Sequence, residues 1–587
     1  MSETPVAATP SPTPANTPPT APSGPVPDQI AAITKGYAFD TPSLVFGSAV
    51  FEDTVYPDAR VKIPLNVMNR HGLVAGATGT GKTKTLQLMA EQLAAAGVPV
   101  FLADIKGDLS GMAVAGEPNP KINERCASLG LEWAPKAYPV EYLSLGGLGK
   151  GIPIRTSVTA FGPTLLSKVL GLNETQESSL GLVFHYADQR GLLIDDLKDL
   201  REVVSYLTSD EGKPELKDLG GLSAATAGVI LRELITFSAQ GADVFFGLPE
   251  FDTASLLRQA GDGRGTVTML ELPAVQDRPA LFSTFLMWLL ADLYHDLPEV
   301  GDPEKPKLVF FFDEAHLLFN GASKSFLDSI QQTVRLIRSK GVGIFFVTQS
   351  PKDVPGDVLA QLGNRVQHAL RAFTPDDAKA LKAAVSTYPT SDYDLGQVLT
   401  SLGTGEAVIT VLSEKGAPTP VAWTRMRAPE TLMGPAPDAT VDQIVAVSPL
   451  AAAYATAQDR ESAYEVLNTQ TQQKSAQAAA QAAAEAQAKA DAAAAEAKAK
   501  EDAAAAKEAA KAQAVADKAR LAAEKEAERA RIAAEKQAAV EERRRASQPN
   551  VVESMLGNSA VKSLLRSAGT SFGREITRSI FGTARRR

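Results

Sequence analysis

Residues 76–83 carry the residue types and the spacing that bind a nucleoside triphosphate. They are Gly76, Ala77, Thr78, Gly79, Thr80, Gly81, Lys82 and Thr83. This order matches G-x-x-x-x-G-K-[ST], in which the glycines let backbone N–H groups point at phosphate. Lysine can bridge the β- and γ-phosphates and threonine can ligate Mg²⁺. An apolar stretch precedes the loop and a helical pattern follows it, so we predict binding of ATP with Mg²⁺ here.

The segment "LVFFFDEAH" supplies a second chemical pair, Asp313 and Glu314, at the end of an apolar run. A carboxylate at Asp313 can hold the Mg²⁺ shell, and Glu314 can act as the general base on the attacking water. Switch-type GTPases usually lack the second acidic residue, so the pair favours an ATPase that does mechanical work. The alternative is that both acidic residues are structural. His316 is more often a packing residue than a ligand.

Two further strand ends carry polar residues. In "IFFVTQSP", Thr348 and Gln349 follow an apolar run, and Gln349 is placed to contact both the γ-phosphate and the attacking water. In "LADIKGDLSG", Asp104, Lys106 and Asp108 end another run. In a doubly wound sheet these residues would lie beside the phosphate loop, organising the nucleotide or a channel-facing loop, or they are simply polar strand ends.

Three arginines are candidates for a finger that reaches the γ-phosphate of a neighbouring subunit. Arg335 and Arg338 lie three residues apart on one helical face, just before the strand that ends at Gln349. Arg365, in "LGNRVQHALRAF", is the third. The alternative for each is a solvated or salt-bridged position.

The elements that must position these residues alternate between strand and helix. Apolar, β-rich runs occur at 98–108, 265–273, 307–319 and 341–351, and 406–426 predicts a hairpin that turns at Lys415 and Gly416. This alternation predicts an α/β domain with a parallel sheet. Between about residues 112 and 262 the pattern is mostly helical, which predicts an inserted subdomain.

Composition divides the chain into four parts. Residues 1–27 are rich in Pro, Thr, Ser and Ala and are expected to be disordered. Residues 28–465 form the predicted ATPase domain. Residues 466–547 predict a long helix or weak coiled coil, because 34 of the 65 residues in 476–540 are alanine. Residues 548–587 form a basic tail, with seven Lys and Arg against two Glu after residue 550.

Net charge, cysteine count and the lengths of the apolar runs limit the classes of function. The net charge of −9 gives no global basic field, so general coating of nucleic acid is not expected, although a local basic channel remains open. A single cysteine, Cys126, excludes an internal disulfide and the usual cysteine-based zinc sites. Neither a signal peptide nor a membrane-spanning run is evident, so we expect a cytoplasmic protein without a transmembrane segment.

Taken together, these motifs resemble the HerA-like ATPases of the HerA/FtsK superfamily. The phrases that carry the resemblance are the phosphate loop, "LADIKGD", "FFFDEAHLLF", "RLIRSKGVGIFFVTQSP" and "LGNRVQHALRAFTPDD". It is most similar to bacterial proteins with a HerA C-terminal domain, through "PIRTSVTAFGPTLLSKVLGLNETQE", "GTGEAVITVLSEKGAPTPVAW" and "SFGREITRSIFG". It spans about residues 35–465 and returns at the C-terminus.

The resemblance implies a RecA-like fold of the ASCE class that assembles as a hexameric ring, with ATP at the subunit interfaces. It assigns the following roles: nucleotide and Mg²⁺ binding to Lys82 and Thr83, the acidic pair to Asp313 and Glu314, the polar sensor to Gln349, and the arginine finger to Arg338. Two departures limit the transfer: the membrane segments of FtsK-like relatives are missing, and the leader before residue 60 is too short for the small N-terminal barrel of HerA-like helicases.

Two functions therefore stay open. The first is a ring ATPase that translocates or remodels double-stranded DNA, and the second is an ATPase that acts on a protein partner through the helix and tail. The letters "DEAH" also suggest a monomeric helicase with two lobes, but this sequence predicts no second lobe of the kind that such a helicase needs.

Overall fold

A computed structural model describes residues 25–319 and 324–528. The described residues form twelve strands: β1 (Ser43–Phe51), β2 (Thr54–Pro64), β3 (Gly72–Ala75), β4 (Val100–Asp104), β5 (Val140–Leu145), β6 (Ile152–Ile154), β7 (Val267–Glu271), β8 (Leu308–Phe312), β9 (Val342–Thr348), β10 (Asn364–Gln367), β11 (Glu406–Thr410) and β12 (Ala422–Met426).

The same residues form helices around and beyond the sheet. They are α1 (Asp28–Gly36), α2 (Lys82–Ala95), α3 (Pro120–Ser128), α4 (Val158–Phe161), α5 (Pro163–Val169), α6 (Glu174–Arg190), α7 (Leu197–Thr208), α8 (Ala224–Ala239), α9 (Pro279–Asp296), α10 (His316–Phe319), α11 (Lys324–Ile337), α12 (Gly356–Leu359), α13 (Pro375–Val385), α14 (Leu395–Ser401), α15 (Asp438–Val447), α16 (Pro449–Tyr454) and α17 (Ala463–Glu528).

All the strands belong to one sheet, in the order β2-β1-β12-β11-β10-β3-β9-β8-β4-β7-β5-β6. From β10 to β6 every neighbouring pair is parallel. From β10 to β2 every pair is antiparallel, so β1 and β2 extend the sheet through β12. The predicted α/β class with a parallel sheet is confirmed, and the hairpin of β11 and β12 is present with Gly416 at φ +79°.

The central strands are buried on both faces, which explains their continuous apolar sequences. β8 is "LVFFF", and all five of its residues are buried. Its phenyl rings alternate between the two faces: Phe310 packs on Phe101 with ring centroids 5.1 Å apart, and Phe311 packs on Phe345 at 5.4 Å. Each buried phenylalanine stabilises the fold by about 1.5–3 kcal/mol. Helices cover both faces, and polar residues therefore collect at the strand ends.

The inserted region, predicted as mostly helical over about 112–262, also contributes strands. It supplies α3 to α8, but β5 and β6 within it extend the parallel sheet beyond β7. These two strands were not predicted from the sequence, because β5, "VEYLSL", is short and lies between helical patterns. β5 is stabilised by pairing with β7, which follows it by more than a hundred residues.

The chain divides into two compact units, the first ending at Leu467 and the second beginning at Asn468. In the second unit α17 continues as an Ala-rich helix as far as Glu528, with i,i+4 pairs such as Glu496 with Lys500 at 2.8 Å. The predicted long helix is thus confirmed to this point. The leader up to residue 24, the end of the predicted helix after 528 and the basic tail lie outside the described residues. The three boundaries between the four predicted parts stay predictions.

Candidate active site

The phosphate loop follows β3 and leads directly into α2. Gly76 is required here because a Cβ at this position would lie 2.5 Å from the Cβ of His368. Gly81 (φ +113°) turns the chain into the helix that begins with Lys82. The Nζ of Lys82 folds back over the loop and donates to the Ala77 carbonyl at 3.2 Å. Burial, partly opposed by the charge of Glu314, lowers the pKa of Lys82.

His368, which follows β10, packs beside Gly76 and supports the phosphate loop. Its Nδ1 lies 2.8 Å from the Glu406 carbonyl, to which it must donate, so Nε2 accepts from the Thr85 hydroxyl at 2.8 Å. Burial lowers the pKa of His368 to about 4, so the ring is neutral at pH 7. His368 is not among the residues predicted from the sequence. The signal available was its position at the end of a strand, but only the pairing of β10 with β3 places it under Gly76.

Asp313 directly follows β8, at the same edge of the sheet. It is buried, its Oδ1 accepts from the Glu314 N–H at 2.9 Å, and its Oδ2 has no hydrogen-bond partner among the described residues. Burial and then the charge of Glu314 raise the pKa of Asp313 to about 7. An unpartnered buried carboxylate oxygen costs free energy unless a cation or donor meets it.

These features of Asp313 fit a Mg²⁺ ion. Within the described ranges no group of three or more His, Cys, Asp or Glu is arranged to hold a metal. The remaining ligands would therefore be the half-buried hydroxyl of Thr83, phosphate oxygens and water, which is how Mg²⁺ is usually held beside phosphates.

Glu314 has a left-handed backbone (φ +46°), which is uncommon for a residue other than glycine and typical of functional sites. Its Oε1 forms an ion pair with the Nζ of Lys106, and its Oε2 lies 3.2 Å from Nδ1 of His316. Burial alone would raise the pKa of Glu314, but the hydrogen bond and charge of Lys106 outweigh it and hold the pKa below its usual value. Glu314 is thus a carboxylate at pH 7, and His316, expected to be a packing residue, faces the site.

Asp104 and Lys106, at the carboxyl end of β4, have different roles. Asp104 is fully buried and accepts from the N–H groups of Gly107 and Leu109, both at 2.8 Å. It thereby fixes the turn that presents Lys106 to Glu314. Asp104 is therefore a structural residue of this turn, and Lys106 is the one that reaches the acidic pair.

Gln349 is exposed directly after β9 and lines a cavity of about 450 Å³. The walls of this cavity include Ala77 and Thr78 of the phosphate loop and His316. Arg371, which follows β10, lines it as well and was missed by the sequence analysis. This cavity therefore adjoins the face of the loop toward which the acidic pair and Gln349 converge.

Arg338 lies at the opposite edge of the sheet. It precedes β9, whereas Gln349 follows it, and a strand of seven residues spans roughly 20 Å. Its Nη2 lies 3.3 Å from Asp302, which also pairs with Arg70 at 3.3 Å. Arg338 therefore does not meet Lys82 of the same chain, and its predicted role requires a second subunit. Arg335 precedes it by one turn, in α11.

Arg365 lies within β10, two residues before its carboxyl end. Its Nη1 donates to the Thr387 hydroxyl at 2.7 Å, and it lines a separate cavity of about 350 Å³ with Tyr388. The structure does not bring Arg365 into contact with the predicted phosphate-loop or acidic residues, and its role as a finger stays a prediction.

The phosphate loop between β3 and α2, and the acidic pair two strands away, define a P-loop NTPase with a RecA-like sheet. The model of the family described as Helicase HerA-like C-terminal matches residues 52–508, and the chain belongs to this family.

Curated relatives and solved structures are similar to this chain at low identity. The DNA double-strand break repair helicases HerA of Sulfolobus acidocaldarius and Sulfurisphaera tokodaii are 22% and 24% identical, over 60% of this chain and 64% of each relative. The chain thus spans just under two thirds of their length. The bacterial conjugative coupling protein TrwBdeltaN70 is 14% identical with a TM-score of 0.45, covering 69% of this chain and 94% of that one. VirB4 of Thermoanaerobacter pseudethanolicus is 16% identical with a TM-score of 0.42, covering 66% and 97%.

None of the helices in the described ranges combines the length and apolarity needed to cross a membrane.

Proposed function

We propose that the protein is an ATP-hydrolysing motor that works as a ring and translocates or remodels DNA. One observation carries the hydrolytic part: Lys82, Asp313, Glu314 and Gln349 all lie at the carboxyl ends of parallel strands in one sheet. Family membership supports it, because the matched region contains all four residues.

Each residue has a distinct task in this proposal. The loop N–H groups and Lys82 hold the phosphates, and Thr83 and Asp313 hold Mg²⁺, which neutralises charge on the β- and γ-phosphates. Glu314, ionised at pH 7, accepts the proton of the attacking water. Gln349 orients this water and responds to loss of the γ-phosphate.

A ring is proposed because one chain does not supply the whole constellation. Arg338 lies at the far edge of the sheet, 43% exposed, and could reach a phosphate loop only in a neighbouring copy. A closed ring of six subunits, as the family resemblance implies, would place one finger at each interface. We propose that this assembly works in the cytoplasm.

DNA is the proposed substrate because the curated relatives named above are DNA repair helicases. The chain is acidic overall, with a net charge of −9, so DNA would have to contact a local basic surface, such as one lining the ring. An ATPase acting on a protein partner is the second candidate, favoured by the long and largely exposed α17, which offers a docking arm.

The decisive experiment is the ATPase rate of the full chain with and without double-stranded DNA, at several salt concentrations. A DNA motor should be stimulated, and its DNA affinity should fall steeply with salt. Lys82→Ala is the control that removes hydrolysis by the phosphate loop. If DNA gives no stimulation at any salt concentration while hydrolysis depends on Lys82, the DNA part is wrong and the protein-partner candidate is favoured.

A further inference from the structure

A cavity of about 350 Å³ is bounded by β3 and β10, by the segment 351–359 and by α13 with the residues that follow it. This α13 cavity is the one that Arg365 lines. It is distinct from the cavity at Gln349, although Lys352 and Ala380 border both. Protein interiors are close-packed and contain few voids larger than a water molecule. A cavity of this size falls within the range of about 300–1,000 Å³ in which proteins bind small molecules.

Most of the wall of the α13 cavity is apolar. Leu73 of β3 and Val354 line it and are each 3% exposed, and Leu359 of α12 adds a third large apolar side chain. On the opposite side α13 contributes only alanines, among them Ala383 and Ala384. The space between these walls is therefore suited to the apolar body of a ligand.

Polar side chains are clustered in one part of the wall, where β10 faces the end of α13. The Nη1 of Arg365 donates to the Thr387 hydroxyl at 2.7 Å, and this hydroxyl donates to the Ala384 carbonyl at 2.7 Å, so the guanidinium is held in place. Tyr388 lines the cavity beside them. Burial raises the pKa of Tyr388, partly opposed by the charge of Arg365, so its hydroxyl is a proton donor at pH 7.

The charges on the wall favour an anion. Lys352 and Arg365 line the α13 cavity, and no carboxylate among the described residues does so. Lys352 has a distant partner in Asp377, at 3.7 Å, whereas Arg365 forms no ion pair within the described ranges. The chain has a net charge of −9, so an anion would be recognised by these local cations and not by the overall field.

We propose that the α13 cavity binds a flat apolar carboxylate, with its body against Leu73, Val354 and Leu359 and its carboxylate on Arg365 and the Tyr388 hydroxyl. A guanidinium offers five N–H donors in a plane and pairs with a carboxylate through two parallel hydrogen bonds. One of these donors is used by Thr387, which leaves others for the ligand.

This site goes beyond the proposed function and does not depend on it. The ligand nevertheless contacts both strands that lead to the phosphate loop. β3 runs from Leu73 to the residue before Gly76, and β10 runs from Arg365 to the residue before His368. Because His368 packs beside Gly76, a ligand in the α13 cavity stabilises the strands on which the loop and its supporting histidine are carried.

The test measures binding of naphthoate and of its uncharged counterpart naphthylmethanol to the full-length protein by calorimetry. Naphthoate should bind at one site per chain, about tenfold or more tightly than the alcohol. Arg365→Met, which removes the guanidinium but keeps an unbranched apolar side chain, should abolish this preference, because a hydrogen bond to a charged group is lost. Binding of the alcohol should persist, which shows that the variant is folded. Ala383→Phe, at an exposed position on α13, places a ring at the cavity and should weaken both probes.

Arg371→Met is the matched control, because Arg371 lines the cavity at Gln349 and not the α13 cavity. It should bind both probes as the wild type does. Naphthoate should also bind in the presence of saturating ADP with Mg²⁺, and to Lys82→Ala, so a failure of the proposed nucleotide site would leave this result unaffected. The proposal is overturned if naphthoate does not bind the wild type, or if the preference for it survives Arg365→Met. Loss of binding in Arg371→Met, or displacement by ADP, would place the anion in the cavity at Gln349 and would also overturn it.

Discussion

Lys106 forms an ion pair with Glu314 across the adjacent parallel strands β4 and β8. The two side chains differ in burial: that of Lys106 is 45% exposed and that of Glu314 is 5% exposed. Lys106 therefore contacts both the solvent at the entrance of the site and the buried carboxylate of Glu314, the proposed general base. While the pair is formed, the oxygen that would accept a proton from water is already engaged.

The first prediction concerns this restraint. In Lys106→Met the Oε1 of Glu314 loses its partner, so we expect the basal ATPase rate to rise several-fold with little change in KM. Stimulation of the rate by DNA or by a protein partner should become smaller. Lys198→Met is the matched control, since Lys198, in the inserted region, forms an ion pair with Glu465 of α17. A fall in kcat in the Lys106 variant would contradict the restraint and would show that catalysis needs the lysine, either to keep Glu314 ionised or in the reaction itself.

The second prediction tests whether Glu314 is the general base. Glu314→Gln keeps the shape of the side chain but removes its basicity, so turnover should fall by about 10²–10⁴-fold, the usual contribution of a general base. Nucleotide binding should persist, because the phosphates are held by Lys82 and the loop. Steady-state ATPase assays and equilibrium ADP binding separate the two effects. Turnover within a few-fold of the wild type would reassign the base to another residue of the site, with His316 the first to test.

The convergence of the loop, the acidic pair and Gln349 was predictable because each follows a strand, and parallel strands end at the same edge. What the sequence could not supply was the order of the strands. His368 and Arg371 follow β10, and they approach the phosphate loop only because β10 pairs with β3, which precedes it by nearly three hundred residues.

The third prediction tests whether Arg338 acts on a neighbouring subunit. Arg338→Ala should bind nucleotide normally but lose turnover by about 10³–10⁵-fold, the range for an arginine finger. Because Arg338 lies at the far edge of its own sheet, it pairs with a phosphate loop only in another chain. A mixture of Arg338→Ala with Lys82→Ala should therefore regain activity, since some interfaces then combine an intact finger with an intact loop.

Arg335→Ala is the control for this mixing experiment, as it lies one turn earlier on the same side of the sheet. If Arg338→Ala alone retains turnover, the finger assignment is wrong. If it is inactive but mixing restores nothing, while both variants assemble, the arginine does not act between subunits.

The fourth prediction concerns pH and His71, which precedes β3. Its Nδ1 accepts from the Ile344 N–H at 3.0 Å, and its Nε2 donates to the Val334 carbonyl at 2.7 Å, an arrangement that only the neutral ring can make. Burial, with a smaller contribution from the charge of Arg338, lowers the pKa of His71 to about 4. The unfolded value is about 6.5, so the stabilising effect is complete above about pH 6.5 and is lost as pH falls toward 4.

Between pH 7 and pH 5 this single group should remove about 2 kcal/mol from the free energy of unfolding. The measurement is urea unfolding of the wild type and of His71→Gln at both pH values. The variant is expected to be less stable at pH 7 but to lose about 2 kcal/mol less on acidification. His295→Gln, at an exposed position on α9, should retain the wild-type pH dependence. Identical pH dependence in His71→Gln and the wild type would mean that the ring is not held neutral by the fold.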